Sequence, residues 1–297
     1  MVLKGRLGLE TSRVPHADRF GLMWLERGKL AVESGNLVFT TAGTDQLEAG
    51  AYEIPLQQVS NILMGPGGVI SHDALRILAR QQTGLLAVGS RGVRLYAVSM
   101  PTGPDRSGLA RKQAQLWADT ESKKAVIKRM YAFRFEGGLP DYAHDIDSLR
   151  GMEGKRVKKV YKRLADQYGV EWSGRRYDRQ NPDQNDTVNK AINHAATATY
   201  AASQIAVAVT GAIPQLGFIH ESSGRAFALD IADLFRTSVM LPIAFRATKN
   251  HKKSQNIKIE SQARMQAGKT FQKENVIPKM IEQIKVIING DDNSNNS

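Results

Sequence analysis

Apolar residues between positions 20 and 100 come in short runs. Gly21–Leu25, Leu30–Val32, Asn36–Thr40, Ala51–Pro55, Val59–Met64, Leu85–Val88 and Val93–Ala97 are parted by Gly, Pro, Asn and Ser. Short runs between turn residues read as strands. The order strand, Ser34-Gly35-Asn36, strand predicts a hairpin. Ser71 can cap a helix reaching Ala79, with Leu75, Leu78 and Ala79 on one face. Residues 1–100 therefore read as a small, mostly β domain with one helix.

The pattern changes after Ser99-Met100-Pro101-Thr102-Gly103-Pro104, which is punctuated like a linker. Helical spacing runs through 106–135, read as one helix, and through 152–168, 186–212, 226–248 and 273–288. Residues 101–288 are thus expected to form a larger, all-helical domain. The tail, residues 289–297, is polar and of low complexity, and reads as disordered. The Ala-rich stretch Ala195 to Leu216 is interrupted by Ser203, Gln204 and Pro214. It reads as a buried core helix rather than a membrane span.

Charge narrows the function classes. The chain carries 41 Lys and Arg against 29 Asp and Glu, a net charge of +12. Most of the excess falls in 102–136, 150–179 and 245–285, within the helical domain. An excess of this size points to a polyanionic partner, with nucleic acid first in line. There is no cysteine, which removes disulfides, thiolate metal sites and cysteine nucleophiles together. That absence, and an N-terminus without an apolar leader, fit a cytoplasmic location without membrane contact. No GxxxxGK phosphate loop or nucleophile elbow is present, and Gly65-Pro66-Gly67-Gly68 is a turn lacking the required lysine.

Three places can carry chemistry. Asp230 and Asp233 share a helix face, ten and thirteen residues after His220, among Phe227, Leu229, Ile231 and Phe235. Carboxylates in apolar surroundings must bind metal or be paired. A metal site, and a structural role in which one acid caps a helix and the other pairs with Arg225 or Arg236, both remain open. Glu153 stands in Leu149-Arg150-Gly151-Met152-Glu153-Gly154-Lys155-Arg156. Flanking glycines admit a close approach, while a first-turn Glu would equally complement a helix N-terminus. Glu, His and Asp suit Mg²⁺ or Mn²⁺, and the imidazole tilts the choice toward Mn²⁺. In Gly174-Arg175-Arg176-Tyr177, the arginines can neutralise phosphates and the tyrosine can stack on a base, or the segment is a polar turn. Arg156 beside Glu153 and Lys258 in the basic 245–285 segment are further phosphate-contact candidates. His194 reads as an ordinary core or surface histidine.

Several stretches occurring together, in order, resemble one family. They are Ser71-His72-Asp73-Ala74-Leu75-Arg76, Gly92-Val93-Arg94-Leu95-Tyr96, Leu149-Arg150-Gly151-Met152-Glu153-Gly154, Gln167-Tyr168-Gly169-Val170, Trp172-Ser173-Gly174-Arg175-Arg176-Tyr177-Asp178, Gly217-Phe218-Ile219-His220 and Asp230-Ile231-Ala232-Asp233. The chain resembles the integrase of CRISPR spacer acquisition, the first CRISPR-associated protein, in its type I-E form, over about residues 18–288. The resemblance implies an α+β chain. A β-rich, sandwich-like N-terminal domain (dimerisation, DNA contacts) would precede the helical, metal-dependent catalytic domain.

It further implies Mg²⁺ or Mn²⁺ held by Glu153, His220 and Asp233, with Asp230 supporting the site. The implied activity joins 3′-hydroxyl ends of a pre-spacer duplex to the CRISPR repeat by transesterification. A structure-selective endonuclease acting on branched DNA is the alternative. The implied partners are a second copy of the chain and the small second CRISPR-associated protein bridging two dimers, with a host DNA-bending factor as a further candidate. Arg76 and Arg94 fall on DNA-contacting positions, and Tyr177 on one that reads the protospacer-adjacent motif complement. Three departures are visible. Arg27 stands where close relatives carry a tyrosine wedge, Gly67-Gly68-Val69-Ile70 lacks the arginine the family places just before the Ile-Ser-His stretch, and the family's Pro-rich C-terminal tail has no counterpart.

Overall fold

The computed structural model describes residues 21–44, 47–99, 107–135, 138–139, 145–176, 185–254 and 256–290. Residues 100–104 of the expected 99–104 linker, Tyr177 and most of the polar tail lie outside them. The described residues of Met1–Ser90 and Leu95–Gly108 form one compact unit, and those of Arg91–Arg94 and Leu109–Ser297 another.

The first unit contains β1 (Gly21–Leu25), β2 (Gly28–Glu33), β3 (Asn36–Thr41), β4 (Gly50–Glu53), β5 (Val59–Met64), β6 (Val69–Ile70), α1 (His72–Gln81), β7 (Gly84–Val88) and β8 (Leu95–Val98). They form two four-stranded sheets, ordered β1-β5-β7-β8 and β4-β3-β2-β6. The expected hairpin is present. Ser34 and Gly35 both take positive φ and let Glu33 face Asn36. β5 is buried along its whole length, as a strand between two parallel neighbours should be. Leu30, Phe39, Ile62 and Leu78 anchor the core of this unit. Ser71 caps α1, accepting from the Ala74 amide at 3.1 Å. The buried face of α1 is Ala74 and Leu78, whereas Leu75 is 40 % exposed. The expected face was rotated, because Ala74 rather than Leu75 meets the sheet.

The second unit is helical: α2 (Ser107–Ala118), α3 (Thr120–Arg134), α4 (Ile146–Tyr168), α5 (Thr187–Thr210), α6 (Ala226–Leu234), α7 (Leu241–Lys253), α8 (Ile259–Lys273) and α9 (Val276–Asn289), with a π-helical turn at Arg236–Met240. α5 is the central helix. Ala191, Ala195, Ala198, Ala202 and Ala206 are fully buried, and such small side chains let α6, α7, α8 and α9 pack closely on it. No described helix is long and apolar enough to cross a membrane.

Three expectations are corrected. The helix predicted over 106–135 is two helices, broken at Asp119, whose carboxylate caps α3 through the Ser122 amide at 2.8 Å. α4 starts at Ile146, not 152, because Asp145 caps it through Ser148. α8 went unpredicted because its buried side includes Gln262, Gln266 and Thr270, which blur an apolar stripe.

Candidate metal and phosphate site

Asp230, on α6, is completely buried. Its Oδ2 accepts the backbone amides of Phe218 (2.6 Å) and Ile219 (3.1 Å). Its Oδ1 accepts the His220 amide (2.9 Å) and faces His220 Nδ1 at 2.7 Å. Four donors meet the four lone-pair positions of one carboxylate. Asp230 therefore holds the His220 loop and the ring together, and has no oxygen left for an ion. The carboxylate only accepts, so the neutral ring carries its proton on Nδ1 and presents a lone pair at Nε2. Nε2 lies 3.8 Å from Asp233 Oδ2. The hydrogen bond to Asp230 holds the His220 pKa above its ordinary value; burial and Arg134 oppose this, while the charges of Asp230 and Asp233 reinforce it.

The loop is braced from α2 as well. Gln113, fully buried, donates to the carbonyls of Ile213 (3.1 Å) and Leu216 (2.9 Å) and accepts from the Ile213 amide (2.7 Å). Trp117 Nε1 donates to the Gly217 carbonyl at 2.9 Å. A Cβ at Gly217 would collide with the His220 carbonyl and with Ala226, so the turn admits only glycine there. Asp233 has charged and phenolic neighbours. Tyr200 on α5 is shifted up by burial first, then by the charge of Asp233. Burial opposes the Arg236 charge, but Tyr161, Asp233 and Tyr200 favour it and the net shift is upward.

Glu153 stands in the third turn of α4. The helix-dipole reading is thereby excluded, since that influence fades within the first turn. Apart from α4's own backbone and the chain neighbours, no described residue lies within 4 Å of a Cβ built at Gly151 or Gly154, so the close approach expected there is not made by the described residues. The Glu153 carboxylate is held by Arg134, whose Nη1 reaches both oxygens at 2.8 Å. Arg134 also acts on His220 through its charge, which brings Glu153 into the neighbourhood of the His220–Asp233 pair. Among the described residues no three His, Cys, Asp or Glu side chains sit close enough to hold a metal ion as they stand. The donor chemistry nonetheless fits a divalent ion. There are two partly exposed carboxylates and an imidazole whose Nδ1 is locked by a buried carboxylate, the usual outer support of a metal-bound histidine.

Neither Arg134 nor Gln113 was singled out from sequence. The signal for Arg134 was available. Ile127, Met130, Tyr131 and Arg134 form the buried stripe of α3, so the pattern puts a cation on a core face.

The basic candidates divide between the units. Arg76, in the first, pairs with Asp73 at 3.1 Å and is well exposed. Arg27 is exposed in the β1–β2 turn with positive φ. In the second unit, Arg94 bonds the Val93 carbonyl at 2.9 Å and Arg156 lies 5.9 Å from the Phe135 ring centroid. Arg175 is bound to Asn189 and Asn193 on α5, whereas Arg176 and Lys258 are exposed.

A family model described as CRISPR associated protein Cas1 matches residues 137–273. The chain is 31% identical to "CRISPR-associated endonuclease Cas1" of Geobacter sulfurreducens, over 93% of this chain and 86% of that protein. It is 34% identical to the Escherichia coli K12 protein of the same description, over 82% and 77%. Among solved structures, "TtCas1-DNA complex" superposes with a TM-score of 0.80 at 29% identity, covering 92% of this chain and 98% of that one. A casposase bound to integration product shares the fold, with a TM-score of 0.61 at 15% identity. The chain belongs to the Cas1 family.

Proposed function

We propose that this Cas1-family chain is the DNA-joining enzyme of CRISPR adaptation. The observation that carries the reading is the Asp230 clamp, which fixes the His220 loop and leaves Nε2 facing Asp233. Glu153, His220 and Asp233 would hold Mg²⁺ or Mn²⁺. A bound ion at such a site supplies Lewis-acid stabilisation of charge developing on a scissile phosphate.

The chain's own residues do the rest. Asp230 keeps the proton on Nδ1 and the ring in one orientation. Gln113, Trp117 and Gly217 hold the backbone that carries the ring. Exposed cations, Arg76 in one unit and Arg176 and Lys258 in the other, hold DNA by its phosphates, with Arg94, Arg156 and Tyr177 as further contacts. In the reaction a 3′-hydroxyl of the incoming duplex attacks a phosphodiester of the repeat, and one phosphodiester replaces another. The working assembly would be a homodimer, two of which are bridged by the small second CRISPR-associated protein, acting in the cytoplasm.

Hydrolysis is the second reading, favoured by the word endonuclease in the names of the relatives. One assay separates the two. The protein and its small partner are incubated with Mg²⁺ or Mn²⁺, a short duplex and a supercoiled repeat-bearing plasmid. Joining requires a 3′-hydroxyl, so a 3′-dideoxy duplex should abolish covalent transfer and plasmid relaxation together. Relaxation that persists with dideoxy ends identifies water as the nucleophile. Activity that survives His220→Ala or Asp233→Ala removes the metal assignment.

A further inference from the structure

Arg134 is the least ordinary side chain near the site. It sits on the last turn of α3, in line with Ile127, Met130 and Tyr131. Its side chain is only 6% exposed, and Glu153, its partner on α4, is 18% exposed. One nitrogen, Nη1, reaches both Glu153 oxygens. The remaining two, Nε and Nη2, are buried and have no hydrogen-bond partner among the described residues. The guanidinium also lies 5.1 Å from the Tyr131 ring centroid.

Stability does not explain this arrangement. A buried ion pair gains little net free energy over an apolar pair of similar volume. Each unmet buried donor costs about 1–3 kcal/mol. A leucine on that stripe would pack α3 against its neighbours without either penalty. What an apolar residue cannot do is hold a carboxylate. Glu153 has several rotamers available on α4, and open space flanks it at Gly151 and Gly154. Contact with both oxygens at equal distance selects one of those rotamers.

We infer that Arg134 is a positioning residue that fixes the Glu153 carboxylate for a divalent cation. The inference rests on the metal reading proposed above. Arg134 touches neither ion nor DNA in this role and acts only through Glu153. Outer partners of metal ligands typically contribute about 10- to 100-fold in metal affinity, which sets the size of the effect.

The test is Mn²⁺ binding to the full chain without DNA, read from the electron paramagnetic resonance signal of free Mn²⁺. Wild type, Arg134→Gln, Arg134→Lys, Glu153→Gln and the Arg134→Gln/Glu153→Gln double variant are compared, with circular dichroism checking the fold. Arg134→Gln should weaken Mn²⁺ by about 10- to 100-fold. Arg134→Lys should recover part of the loss, because it restores a cation on a shorter, more mobile side chain without the planar guanidinium. Once Glu153 is neutralised, Arg134→Gln should add nothing. Unchanged or tighter Mn²⁺ binding by folded Arg134→Gln overturns the inference, as does full additivity in the double variant. If Arg134→Gln fails to fold, Arg134→Lys decides: affinity equal to wild type overturns it, a partial loss supports it. A wild-type chain that binds no Mn²⁺, or a His220→Ala variant that binds as wild type does, overturns the metal reading and this inference with it.

Discussion

Replacing Asp230 with asparagine changes one atom type and almost no volume, so it isolates the clamp on the His220 loop. The carboxylate accepts from the Phe218, Ile219 and His220 amides and from His220 Nδ1, at 2.6–3.1 Å. An asparagine offers one carbonyl with two lone pairs and one NH₂ with two donors. With its NH₂ toward Phe218 and Ile219, both of those amides lose their acceptor; turned the other way, the His220 amide loses its acceptor and Nδ1 keeps a partner only by moving the ring's proton to Nε2. Hydrogen bonds to a charged group contribute about 1.5–3 kcal/mol each and neutral ones about 1 kcal/mol, so losing one amide bond and neutralising the other three costs roughly 3–9 kcal/mol. The lower desolvation cost of a neutral amide offsets part of this and places the expectation near 3 kcal/mol. Urea unfolding followed by fluorescence reads it, since Trp117 and Trp172 both belong to the helical unit. A Trp24→Phe background silences the tryptophan of the first unit. A loss below about 1 kcal/mol, the worth of one neutral bond, refutes the account of Asp230 as a four-way acceptor. The same variant should lose DNA joining, because an amide donor facing Nδ1 moves the ring's proton to Nε2, the atom proposed to bind the ion.

Other expectations follow from the same structure. Gln113→Leu strips three backbone groups at Ile213 and Leu216 of their buried partner and should cost about 2–4 kcal/mol in urea unfolding, given roughly 1 kcal/mol or more per unmet group; it should also lower activity although α2 bears no proposed ligand. Arg176→Ala should weaken DNA binding and reduce the slope of log affinity against log salt by about 1, as expected for one phosphate contact, in a fluorescence-anisotropy titration; an unchanged slope removes Arg176 from the DNA surface. The His194 pKa is lowered by burial first, with Arg94, Arg264 and Lys190 adding to the effect and Glu260 opposing it. The unfolded chain therefore takes up a proton that the native one resists. Stability should fall as pH drops from about 6.5, the unfolded value, toward the lower folded one. His194→Gln should flatten that part of the stability–pH curve, and a curve parallel to wild type would show that His194 titrates normally.

What could be read from sequence, and what could not, divides by the range of the interaction. Ser34-Gly35 between two apolar runs marks the β2–β3 hairpin because the turn residues and the runs are neighbours in the chain. Ser71 marks the start of α1 for the same reason. The pairing of Asp230 with Asp233 on one face is likewise local. Which of the two is spent on the fold is not local. Asp230 faces inward and takes up the amides of 218–220, while Asp233 stays partly exposed near Nε2. Glu153 was placed too near a helix start because Gly151 and Gly154 interrupt the pattern, and the actual cap, Asp145, stands one residue before the first turn.

The residues missed are those whose partners are distant. Arg134 meets Glu153 across nineteen positions, and Gln113 meets Ile213 across one hundred. Neither partnership leaves a spacing motif. Each leaves a contradiction of local pattern: a cation on the buried stripe of α3, and a fully buried amide on α2. A polar group on a core face lowers stability unless something distant satisfies it. The site's supporting residues were therefore encoded as exceptions to the helical pattern, while its proposed ligands, being partly exposed, broke no rule. Such exceptions mark sites of long-range pairing, and Arg134 and Gln113 stand on the same stripes that predict the helices.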